Sequence, residues 1–152
     1  MSKVPIYHWD AEEGIAQCTL IDGNEVFYGF ATVHPDDQDL ANEYTGLHIA
    51  ENRATIKALQ HRKNYVLTPS LRALKHLHSS MRHSKQFNPT SYEAKMLNRQ
   101  ICLLEDDLEA TKEAIAELRE YLKTYLQKKD VAYKAIRKRN KNEQLTMDEF
   151  EQ

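Results

Sequence analysis

From Asn52 to Tyr92 the chain contains no aspartate or glutamate, although 23 acids are spread over its 152 residues. Glycine is also scarce, at four residues. That leaves no GxGxxG and no GxxxxGK[ST], so a phosphate-cradling loop of either kind is excluded. GxSxG and HExxH are missing too, and no specific catalytic constellation takes their place. Only two cysteines occur, Cys18 and Cys102, with no CxxC between them. This is neither a disulfide framework nor a zinc knuckle, and it fits two buried thiols in a reducing cytosol. Apolar runs are a few residues long at most, too short to span a membrane. The opening Met-Ser-Lys-Val-Pro carries no signal-peptide core, so a cytoplasmic protein is expected. Beyond Pro89 there is no further glycine or proline.

The charges that are present are segregated. Residues 1–51 hold ten acids against one base, Lys3. The segment 52–92 has eight Lys or Arg, and 93–142 has twelve bases and nine acids. The last ten residues, EQLTMDEFEQ, carry four acids. The net charge of −2 therefore conceals opposite potentials. Either different surfaces carry opposite signs, or acidic and basic segments meet when the chain folds or associates.

Periodicity predicts an α+β fold: a small N-terminal antiparallel sheet, then helices, ending in a long heptad-patterned helix. Ile15–Ile21 and Glu25–Val33 flank Asp22-Gly23-Asn24, a hairpin signal that points to a type I′ turn. Val4–Trp9 adds a third strand, and Pro5 suits a sheet edge. A helix over about 36–63 opens at His34-Pro35 with Asp36, Asp37 and Asp39 in its first turn. Its small residues Gly46, Ala50, Ala54 and Ala58 allow close approach to another backbone. Thr68-Pro69-Ser70 caps a further helix over about 69–86. There Leu71, Leu74, Leu77 or His78, and Met81 form the apolar stripe. Thr90-x-x-Glu93 reads as a capping box. These elements make a domain over 1–90, followed by an oligomerisation helix over 91–140 and an acidic tail over 141–152. Leu97, Ile101, Leu104, Leu108, Ile115, Leu118 and Leu122 recur in steps of four and three, broken only by Thr111. With no breaker in the segment, a continuous helix zipped into a homo-oligomer is expected. A hairpin, or packing on its own domain, are the alternatives.

The acid-free stretch supplies the main candidate site. Arg53, Lys57, Arg62, Arg72, Lys75 and Arg82 fall outside the apolar stripes and are assigned as phosphate contacts. An acid among them would repel a polyanion. Docking of this surface on the acidic first 51 residues is the competing explanation. A second basic run, Lys128–Lys141, has Tyr133 interleaved. Among the early aromatics most belong in a core, and Trp9 and Tyr28 are the candidates for stacking a base or filling a partner pocket. A metal-dependent hydrolase built on His34, Asp36, His48 and Glu51 is the weakest class, and no metal or cofactor is expected.

The run from Tyr28 through Leu59, with FNPTSYEAKMLNRQI after it, resembles small accessory proteins of bacteriophages that infect Gram-positive bacteria. The resemblance implies a non-enzymatic binder acting in host takeover or anti-defence, and it carries no site residues. The expectation is thus an oligomeric, cytoplasmic binding protein that recognises nucleic acid or a nucleotide. The alternative is a protein–protein inhibitor or adaptor whose acidic N-terminal sheet blocks a basic host target.

Overall fold

A computed structural model describes residues 3–33 and 42–150. The chain divides into two compact units, Met1–Ala54 with Leu118–Gln152, and Thr55–Glu117.

The first unit contains an antiparallel three-stranded sheet in the order β1 (Val4–Asp10), β2 (Ile15–Asp22), β3 (Glu25–Thr32). Asp22 pairs with Glu25, so Gly23-Asn24 is a two-residue loop. Gly23 has φ +63°, and among the described residues none other than glycine has positive φ. Only the first loop position is left-handed, which is the φ signature of a type II′ turn, not the type I′ expected from Asp-Gly. Between β1 and β2 the Asp10 carboxylate accepts the N–H groups of Glu12 and Glu13, at 3.0 and 3.1 Å. Gly14, at φ +65°, completes that turn. Pro5 lies on an edge strand, where its missing donor is tolerated.

Helix α1 (Glu43–His61) starts at Asn42, whose Oδ1 accepts the Thr45 N–H at 3.0 Å. The aspartates expected in its first turn, with His34, Pro35 and Leu40, lie outside the described residues. The small-residue side of α1 faces the sheet. A Cβ on Gly29 of β3 would stand 1.9 Å from the Ala50 carbonyl oxygen and 2.5 Å from the Ala54 nitrogen. Likewise, a Cβ on Gly46 would meet the Ala16 Cβ at 2.9 Å and the Trp9 ring at 3.1 Å. The backbones therefore touch, and Ala16, Cys18, Leu20, Ala31, Ile49, Ala50, Ala54 and Leu122 are the buried apolar residues of this unit.

In the second unit the expected break at Thr68-Pro69 does not occur. A π-helical turn (Arg62–Leu67) joins α1 directly to α2 (Thr68–Arg82). Both flanking residues, His61 and Thr68, have right-handed helical dihedrals. The Thr68 N–H donates to the Lys63 carbonyl five residues back. Pro69 has no N–H, and in a regular helix its ring would strike the carbonyl four residues earlier. Widening the preceding turn makes room for it, so the chain stays helical through a proline. On α2, Leu71 is buried, Leu74, His78 and Met81 are half-buried, and Leu77 is 50% exposed. His78, not Leu77, completes the stripe.

Helix α3 (Tyr92–Phe150) is continuous. At 1.5 Å per residue its 59 residues would extend about 88 Å. Its cap is Ser91, whose Oγ accepts the Ala94 N–H at 3.3 Å; Thr90, expected in that role, bonds Asn88 instead. The helix also runs into the segment expected as an acidic tail. Leu97, Thr111, Ile115 and Leu122 are buried within the single chain, and Ile101, Leu104, Leu108 and Leu118 are half-buried. Most of the heptad seam is thus covered by the chain's own residues. Thr111, the break in the heptad, donates its hydroxyl to the Asp107 carbonyl at 2.8 Å, which satisfies it in the core. Cys18 is fully buried, but Cys102, expected to be buried, is exposed.

Candidate interaction surfaces

Two of the basic candidates pair with acids of α3. Arg62 Nη2 lies 2.6 Å from Asp107 Oδ2, and Lys75 Nζ lies 3.2 Å from Glu105 Oε1. Both partners belong to the Glu105-Asp106-Asp107 run of α3, in the same unit. The acid-free segment therefore packs as the cationic side of an internal charge pair. Arg53, in the other unit, donates from Nη1 to the Phe30 carbonyl oxygen at 2.6 Å and so caps an edge of the sheet. Lys57, Arg72 and Arg82 are exposed and form no ion pair among the described residues. Three of the six phosphate candidates consequently have intramolecular work, and three face solvent. In the second basic run, Lys134 pairs with Asp130 at 2.9 Å and Lys129 stands 5.5 Å from the Tyr125 ring centroid.

The two stacking candidates separate. Trp9 pairs across the sheet with the buried Ala16 and rests against Gly46, so it is on the helix-facing side and half-buried. It borders a cavity of about 190 Å³ with Tyr133 and Lys129. Tyr28 points the other way and does lie on the outer face. Its ring stacks on Phe30, centroids 6.4 Å apart at 22°.

That outer face is more apolar than the sequence reading allowed. The register aligns Val4, Ile21 and Val26 in one row, Ile6, Thr19 and Tyr28 in the next, and His8, Gln17 and Phe30 in a third. Val4 is 53% exposed, Ile6 52%, Val26 44%, Tyr28 47% and Phe30 47%. The inner face, with Ala16, Cys18, Leu20, Gly29 and Ala31, is buried by comparison. A row of large apolar residues left open on the outer face departs from the polar-out pattern of a free antiparallel sheet. Acids stand at both ends of the patch, Asp22 and Glu25 at the hairpin and Asp10, Glu12 and Glu13 at the other turn. An apolar centre with a charged rim is the anatomy of a protein interface. The signal in the sequence is the run of apolar residues at even positions of β1 and β3, of which only Tyr28 is expected on the outer face.

A third cluster surrounds His48. Its Nε2 is hydrogen-bonded to the Tyr121 hydroxyl at 2.8 Å, and Asn52 Nδ2 donates to the His48 carbonyl oxygen at 2.9 Å. The Tyr44 ring lies parallel to the imidazole, 6.1 Å away at 5°, and the Tyr125 ring is 4.8 Å away. Tyr7 donates to Glu51; burial, then the Glu51 charge, then that bond, hold its hydroxyl above the usual phenol range. Burial, reinforced by the same carboxylate, also pushes the Cys18 thiol up. No group of three or more His, Cys, Asp or Glu placed to hold a metal ion occurs among the described residues. His34 and Asp36, offered as partners of His48 and Glu51 in such a site, lie outside them. Comparison with protein-family models, curated proteins and solved structures finds no match to this chain.

Proposed function

We propose that this chain is a non-enzymatic cytoplasmic binding protein, and that the outer face of its N-terminal sheet docks on a basic protein partner. One observation carries the reading: five large apolar side chains stand about half exposed, in register, on one sheet face with acids at both ends. Covering the exposed half of such a side chain contributes roughly 1 kcal/mol. The turns that end the face hold five acids, Asp10, Glu12, Glu13, Asp22 and Glu25, which favour a cationic partner and oppose a second copy of the same face. A second reading, recognition of a phosphate-bearing ligand such as nucleic acid or a nucleotide, retains support from Lys57, Arg72 and Arg82, which are exposed and outside the ion pairs.

Paired charge substitutions separate the two. Ile6 and Phe30 are exposed, so Ile6→Glu with Phe30→Glu should leave folding intact and abolish retention of the partner from nuclease-treated extract of the source cells. Arg72→Glu with Arg82→Glu should leave that retention unchanged. On the phosphate reading, the second pair should instead reduce the slope of log affinity for an oligonucleotide against log salt by about 2, near one unit per contact.

A further inference from the structure

Tyr44, Leu47, His48 and Glu51 follow one another at helical spacing and share a face of α1. Together with Tyr7 of β1 they line a concavity of about 270 Å³ within the first unit. We propose that this pocket is a cation-binding cage for an alkylammonium group of the lysine type, free or carried on a polypeptide.

The size is the first argument. Sites for drug-sized ligands begin near about 300 Å³, so this one fits a side-chain head or a small cation. The walls are the second. Tyr7 is 46% exposed and Tyr44 76%, so both rings present uncovered π surface at the opening. A ring face carries negative potential and attracts an ammonium within about 6 Å. The Glu51 carboxylate, already accepting the Tyr7 hydroxyl, supplies the counter-charge. That carboxylate is itself one of the lining groups, so the pocket carries a negative wall. Behind the pocket, His48 is held by the Tyr121 hydroxyl at 2.8 Å, and the Tyr44 ring lies parallel to its imidazole. An anion would meet the carboxylate, and a purely apolar group would desolvate it without compensation. The inference stands apart from the sheet-face reading, because Tyr7 pairs with the buried Cys18 and so belongs to the opposite side of the sheet.

Tetramethylammonium and N-acetyl-lysine methylamide, titrated into the full chain and followed by NMR, test it. Both should shift the Tyr7, Tyr44 and His48 ring signals saturably. Glu51→Gln, which keeps an acceptor for Tyr7, and Tyr44→Ala, at an exposed position, should each weaken binding by about fivefold, from one lost charge contact or one lost ring. Glu13→Gln removes the same charge elsewhere and should change nothing. Binding of the lysine probe alone would still support the cage but assign it to a side chain and not to a quaternary head. The proposal is overturned if neither probe binds, if Glu51→Gln binds as well as wild type, or if the neutral isostere 3,3-dimethylbutanol shifts the same signals equally.

Discussion

Gly29 decides how closely α1 lies on the sheet. Any side chain there would place its Cβ 1.9 Å from the Ala50 carbonyl oxygen, a backbone atom that cannot rotate away. Overpacking of a core costs about 1–3 kcal/mol and more where backbone must move. Gly29→Ala should therefore lower stability by about 3 kcal/mol or more in urea unfolding, whereas Gly23→Asn, in an open turn, should cost far less. The two thiols differ as sharply. An aromatic disulfide reagent should titrate Cys102 at once and Cys18 only on unfolding, since one is exposed and the other fully buried. The pH dependence has a definite sign. Cys18 and Tyr7 are held above their ordinary values of 9.0 and 10.0, so the fold favours their protonated forms. Their contribution is complete below the ordinary values and is lost as pH rises through the raised ones. Urea midpoints should be level up to about pH 8 and fall on the alkaline side, less so in a Cys18→Ala, Tyr7→Phe variant.

Among the elements, the acid-free segment is the instructive case. Its cations were legible, but their partners were not, because Glu105 and Asp107 are far along the chain and no local pattern links them to Lys75 and Arg62. Both pairs are substantially exposed, with side chains 40–56% accessible, so each is worth less than about 1 kcal/mol. A double-mutant cycle on Arg62 and Asp107 should give a coupling in that range, shrinking with added salt. The strands were readable from β-branched and aromatic runs and from Asp-Gly, and the long α3 from its heptads and its lack of breakers. The helix junction was not, since Pro69 reads as a start signal and only the π turn before it lets the chain continue. Of the two aromatics expected on the outer face of the sheet, Tyr28 lies there and Trp9 lies on the helix side. With Ala16, Gly29 and Ala31 turned inward, the large residues of β3 face out, and hydrophobicity alone ranks the faces the wrong way round.

At the scale of the molecule, Leu97, Ile115 and Leu122 of the heptad seam are buried by their own chain, and Ile101, Leu104, Leu108 and Leu118 are half-buried. The sheet leaves five large apolar side chains open in register between its acidic turns. On the proposed function this face, not the basic segment, meets the partner. Photo-crosslinking in the source cells tests it, with p-benzoylphenylalanine replacing Tyr28 in one variant and Arg72 in another. Both positions are exposed, so neither insertion should disturb folding. Tyr28→p-benzoylphenylalanine should yield one discrete adduct with a basic protein, and Arg72→p-benzoylphenylalanine none. A nuclease-sensitive adduct from position 72 with nothing from position 28, or an adduct at 28 of twice the 17.7 kDa chain mass, would contradict it.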